Sequence, residues 1–168
     1  MSNKENCLKN TIDYEIRCFK WEDVKRYFDK IVGMQVENIY GFHYPEKEPN
    51  VEFVKEKILE LEGHLKKDNT YFIGAIKEEN LYGYIWGYVS VFIDEKRMNI
   101  NSLYIDRKVR GKNIGQELMN AIKRISIDNG CDSIATHYAT FNKKAGKFYL
   151  NNGFESSRIE MICKLRNN

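Results

Sequence analysis

The most constraining feature of this chain is a change of hydrophobic period across a basic, glycine-containing loop near its middle. Ile100-Asn101-Ser102-Leu103-Tyr104-Ile105 reads as a strand, and Ile114, Leu118, Ala121, Ile122 and Ile125 form the stripe of an amphipathic helix. Between them lies Asp106-Arg107-Lys108-Val109-Arg110-Gly111-Lys112-Asn113, so the helix starts on a loop with four cationic side chains. A strand that turns directly into a helix, with another strand, Ser133–Ala139, beyond it, is a β-α-β crossover and calls for a parallel strand pair.

What precedes this unit is built differently. Tyr14–Phe19 alternates as a strand, and a helical segment starts at Trp21 and fades past Gly33 towards Ile39. His43–Asn50 holds both prolines and reads as a loop. Val51, Val54, Ile58, Leu61 and Leu65 are spaced as a helix face, with Asn50 placed to cap it. Tyr71–Ile76, Leu81–Phe92 and Met98–Ile105 then read as successive antiparallel strands joined by Glu78-Glu79-Asn80 and Asp94-Glu95-Lys96-Arg97. After the crossover, Asn142–Leu150 reads as a short helix and Arg158–Leu165 as a closing strand. The order β-α-α-β-β-β-α-β-α-β predicts one α/β (α+β) domain over residues 1–168. Its mostly antiparallel mixed sheet is flanked by about four helices, and polar residues 1–11 are expected to be disordered.

Composition narrows the function classes. The 168 residues carry 27 basic and 24 acidic side chains, a net charge of +3, which is too balanced for a nucleic-acid surface. The longest apolar run, Leu81–Ile93, is interrupted by Gly83, Gly87 and Ser90 and falls short of the ~20 residues of a membrane span. Cys7, Cys18, Cys131 and Cys163 show no metal-ligand spacing with one another or with histidine. Cys18 and Cys163 lie in apolar runs and are expected to be buried thiols. With no leader pattern at Met1, this predicts a reducing, cytoplasmic setting and no metal.

A helix N-terminus presents unpaired amides and a partial positive charge. Glycines admit close approach of an anion, and Arg110 and Lys112 add charge, so the loop suits a pyrophosphate. A plain strand-to-helix turn with solvated charges is the alternative. Leu103-Tyr104-Ile105 followed by Arg110-Gly111-Lys112-Asn113-Ile114-Gly115 resembles the acetyl-CoA signature of the GNAT (GCN5-related) N-acetyltransferases, Gln/Arg-x-x-Gly-x-Gly/Ala after a strand. Asn113 stands where the pattern has its first glycine, and asparagine is the side chain that best tolerates a left-handed backbone. Asn142, Ala145, Phe148, Tyr149, Gly153 and Phe154 fall in register with the family's later motif, Asn-x-x-Ala-x-x-Phe/Leu-Tyr-x-x-x-Gly-Phe.

The resemblance implies a splayed pair of central parallel strands and direct transfer of acetyl from acetyl-CoA to an amine of a small molecule or peptide. Leu103, Tyr104 and Ile105 would hold the pantetheine arm. Arg110, Gly111, Lys112, Asn113, Ile114, Gly115 and Gln116 would hold the pyrophosphate. Asn142, Ala145, Phe148 and Tyr149 would complete the cofactor site. Tyr149 would be the general acid for the leaving thiolate, and the backbone of Tyr104 the oxyanion contact.

Many relatives carry a glutamate base on the strand before the loop, where this chain has Asn101 and Ser102. His137 is the substitute candidate base, or a polar strand residue facing elsewhere. Glu46, Glu48 and Glu52 fall in the substrate-side region by the same likeness, or are surface charges. Tyr82, Tyr84, Trp86, Tyr88 and Phe92 share a strand face, which is either a core wall or, with Tyr40, Phe42, His43 and Tyr44, part of an amine pocket. A catalytically silent acyl-CoA sensor is the competing function. Relatives of this kind often dimerise, so a homodimer is a further expectation.

Overall fold

A computed structural model gives the fold; the residues it describes are 9–10, 14–163 and 165. The chain forms two compact units, Met1–His137 and Tyr138–Asn168.

The first unit is a six-stranded sheet in chain order. Its strands are β1 (Lys9–Asn10), β2 (Glu15–Cys18), β3 (Thr70–Lys77), β4 (Asn80–Phe92), β5 (Glu95–Ile105) and β6 (Ser133–Ala135). All neighbours are antiparallel except β5 and β6, the parallel pair that the crossover requires. The two tight hairpins turn at Glu78-Glu79 and Ile93-Asp94, four non-glycine residues with positive φ. Lys9–Asn10 pairs with β2, so these two residues of the expected disordered start are ordered; the others lie outside the described residues.

The four expected helical segments are present, two of them broken. The first divides at Tyr27 into α1 (Trp21–Arg26) and α2 (Phe28–Phe42), where φ −104° and ψ 17° leave the helical range. The break stacks the Tyr27 ring on Phe19, with centroids 5.6 Å apart. α2 outruns the expected end near Ile39 despite Gly33 and Gly41, because Asn38 and Glu37 are bonded to β5 and the loop after it. The second segment divides at Glu60 into α3 (Val51–Leu59) and α4 (Leu61–Leu65). Asn50 caps α3 as expected, its Oδ1 accepting from Phe53 N at 2.9 Å.

α1 to α4 bury Val24, Ile31, Val54, Ile58 and Leu61 against Phe72, Tyr84 and Tyr104 of the sheet. Alternation leaves Ile73 and Ile85 for the opposite face, where α5 (Ile114–Asp128) packs across the strands. Leu118 is fully buried at the middle of α5, so Leu118→Ala is expected to cost about 2–5 kcal/mol by urea denaturation.

In the second unit, α6 (Lys143–Asn151) is capped by Asn142, whose Oδ1 accepts from Ala145 N at 3.1 Å. Tyr149 anchors it, with its ring 5.6 Å from Phe148, 5.4 Å from Phe154 and 6.0 Å from Tyr138.

Three expectations are corrected. The strand expected over Ser133–Ala139 ends at Ala135, because its ladder with β5 stops there. The closing strand over Arg158–Leu165 is not formed among the described residues, although Ile159, Met161 and Leu165 alternate; a strand exists only through a partner, and none pairs with it. Cys163 is exposed and Cys18 is disulfide-bonded, so neither is the expected buried free thiol.

Candidate functional site

The loop between β5 and α5 is shaped by two left-handed residues. A 3-10 turn, Arg107–Val109, is capped by Asp106, whose Oδ1 accepts from Lys108 N at 3.0 Å. Gly111 has φ +85°, and Asn113 has φ 63° and ψ 4° as the residue immediately before α5. Asn113 thus adopts the backbone for which asparagine is the best substitute for glycine. The first amides of α5 have no carbonyl of a preceding helical turn to bond. Lys112 is exposed and has no ion-pair partner among the described residues. These groups suit an anion, with Lys112 supplying side-chain charge.

Arg110 is placed otherwise than the sequence suggests. Its Nε donates to Ile105 O at 3.0 Å, and its guanidinium lies 5.2 Å from the Phe42 ring and 5.4 Å from the Tyr104 ring. Its other nitrogen is 3.6 Å from Glu37 Oε1, an oxygen that also accepts from Arg107 Nε. Burial pushes the Glu37 carboxyl up, but hydrogen bonds from Tyr104 and Arg107 and two guanidinium charges outweigh it, holding Glu37 below the usual carboxylate range. Burial, then the bond to Glu37, drives the Tyr104 phenol far above its ordinary value.

β5 parts from β6 at a β-bulge. Trp86 pairs with Ser102 but Gly87 with Ile100, so Asn101 is the extra residue. Pairing to β6 covers only Arg97–Asn99, and among the described residues Ile100–Ile105 has no strand partner on that side. The ladder with β4 fixes which amides face the gap. Asp106 N donates to Tyr82 O at 2.8 Å, so by alternation Tyr104 opposite Tyr84 also turns its amide towards β4. The Tyr104 amide is therefore not the oxyanion donor expected from sequence. Leu103 and Ile105 are the residues whose backbone polar groups turn into the gap, and the Ile105 carbonyl is the one that Arg110 occupies.

Ser102 sits where relatives were expected to carry a base. It is buried, accepts from Asn38 Nδ2 at 3.0 Å, donates to Gln35 Oε1 at 3.0 Å, and lies 3.3 Å from the Tyr84 hydroxyl, which donates to Gln35. Tyr84 is 1% exposed and belongs to the core wall, so it does not line a pocket. Trp86 and Tyr40 are partly buried against that core, whereas Tyr44 is exposed with Lys47 Nζ 4.6 Å from its ring. Glu46, Glu48 and Glu52 are exposed, Glu52 pairing with Lys55 at 2.8 Å.

Two histidines of this unit act on one another. His43 caps the C-terminus of α2, and His137 follows β6 on an exposed stretch. Burial and then the charge of His137 lower the His43 pKa below its ordinary value, leaving a neutral imidazole at pH 7. Sequence reading had placed His43 only in a candidate pocket, because a lone histidine after a helix carries no spacing signal. Glu37 escaped it altogether, as its partner Arg107 lies 70 residues away. In the second unit Asn142 spends its Oδ1 on the cap, Ala145 and Phe148 are half-buried, and Tyr149 is buried.

Comparison with known proteins agrees with this geometry. The family model described as Acetyltransferase (GNAT) family matches residues 33–154. A stretch of 74 residues is 31% identical to tyramine N-feruloyltransferase 4/11 of Nicotiana tabacum; it covers 44% of this chain and 33% of the tobacco protein. The chain thus spans about a third of the length of that curated relative. A putative acetyl transferase from Pyrococcus furiosus has the same fold, with a TM-score of 0.72 at 22% identity over 91% of this chain and 100% of that one. AAC(6')-Iy, solved with the bisubstrate analogue CoA-S-monomethyl-acetylneamine, aligns with a TM-score of 0.68 at 14% identity over 92% and 99% of the two chains.

Proposed function

Because the chain belongs to the GNAT acetyltransferase family, we propose that it transfers the acetyl group of acetyl-CoA to a primary amine of a small molecule or peptide. The observation that carries this reading is the left-handed Asn113 at the head of α5, beside a stretch of β5 released from its parallel neighbour. Acetyl-CoA, when bound, supplies an activated acetyl thioester. The amides at the start of α5, with Lys112, are the donors suited to its pyrophosphate. The Leu103 and Ile105 amides turned into the gap are suited to the pantetheine arm and to developing negative charge on the thioester oxygen. The AAC(6')-Iy complex, which contains a CoA moiety, supports the cofactor assignment by its fold alone.

Two proton transfers remain. An alkylammonium with a pKa near ~10 must lose a proton before it attacks, and the departing thiolate must gain one. We assign the first to His43 with His137 beside it, because Ser102 is committed to a buried network. Tyr149 is assigned the second on the strength of its motif. The His43 assignment fixes a pH dependence. Its pKa lies below the ordinary value of about 6.5, so kcat/KM is expected to hold from neutral pH down to below that value and then fall as His43 protonates. His43→Gln should remove this limb. His137→Asn should move it only part of the way towards the ordinary value, because burial is the larger cause.

The proposal is tested by incubating the protein with acetyl-CoA and a panel of polyamines, aromatic amines, aminoglycosides, amino acids and short peptides, and seeking acetylated product by mass spectrometry. The panel is repeated with a hydroxycinnamoyl-CoA, since the tobacco relative is named for a feruloyl donor. A catalytically silent acyl-CoA sensor is the second reading, favoured by Ser102 in place of a titratable base. It predicts CoA binding with no product from any amine.

A further inference from the structure

α2 reaches the anion loop at its entry and at its middle. Lys30 Nζ lies 2.5 Å from Asp106 Oδ2, and Asp106 is the residue that caps the 3-10 turn at the loop's entry. Seven residues on, and so on the same face of the helix, Glu37 accepts from Arg107 and lies 3.6 Å from Arg110, at the loop's first and fourth positions beyond that cap. Phe42, at the end of α2, lies under both guanidinium groups, 5.9 Å from Arg107 and 5.2 Å from Arg110. The buried Tyr104 side chain closes the cluster from β5, with its ring 5.4 Å from the Arg110 guanidinium.

We propose that α2 is a positioning element for the anion loop, with Glu37 holding Arg107 and Arg110 as braces rather than leaving them as phosphate ligands. The inference rests on the reading of this loop as the pyrophosphate site. An isolated surface ion pair such as Lys30–Asp106 contributes little. Glu37 differs, because one carboxylate joins two guanidiniums and, through Arg110 Nε, the Ile105 carbonyl. Neutralising it leaves both arginines without their anion and loosens the turn that presents the α5 amides. Glu37 touches no reacting atom, so its loss acts on cofactor affinity and not on the chemical step.

Glu37→Gln keeps size and shape. It is expected to weaken CoA binding by about tenfold and leave kcat within about twofold. In the cofactor-free protein it is expected to speed hydrogen exchange at the amides of Val109 and Lys112, whose bonds define the loop. Glu37→Arg should lose CoA binding, and Glu37→Arg combined with Arg107→Glu should recover it. Unchanged or tighter CoA binding by Glu37→Gln, or weaker binding with unchanged exchange, would overturn the brace. If the wild-type protein itself bound no CoA, the acetyl-CoA reading would fall, and the exchange comparison would still decide the brace.

Discussion

Tyr149→Phe is expected to lower kcat by about 10²–10³-fold while leaving the affinity for CoA unchanged. The substitution removes only a hydroxyl. The ring packs against Phe148, Phe154 and Tyr138, and phenylalanine keeps those ring contacts. What is lost is a proton donor for the departing thiolate, equivalent to about 3–4 kcal/mol of the barrier. Steady-state kinetics beside calorimetric titration with CoA separate the two quantities. Equal turnover by both proteins would remove Tyr149 from the mechanism. A parallel fall in affinity would make it a cofactor-binding residue instead.

The second large effect lies in the loop. Asn113→Val is expected to weaken CoA binding by about 10–100-fold, because a β-branched residue at φ 63° carries roughly 1–3 kcal/mol of strain that only a rearranged loop relieves. Asn113→Gly should bind CoA at least as well as the wild type, since glycine reaches the same backbone freely. Titration of the three proteins with CoA checks the ordering. Equal binding by the valine and glycine variants would show that the left-handed residue does not shape the site.

Asn113 also shows what a sequence can reveal. Its left-handed backbone, the Asn50 cap on α3 and the helical stripe of α5 are local, and each was legible because neighbouring residues alone determine it. The parallel pairing of β5 and β6 followed from the crossover between them. The end of β6 at Ala135 and the irregular backbone of residues 158–163 were not legible, since alternation states that a segment can be a strand but not that a partner strand runs beside it. The direction of the Tyr104 amide depends on ladder phase across β4, and one residue of slip at the Asn101 bulge reverses the faces beyond it. The Glu37 cluster and the approach of His43 to His137 join residues far apart in the chain, where no spacing rule applies. The disulfide at Cys18 likewise overrode a composition-based expectation of free thiols.

The central claim is acetyl transfer to an amine, and the most direct measurement is free-thiol release from acetyl-CoA with and without each amine of the panel, corrected for the protein's own cysteines. The account predicts release that depends on at least one amine, falls with Tyr149→Phe and declines below the His43 titration. Release by none of the amines, from a protein shown to bind CoA, would contradict it and leave the sensor reading in its place.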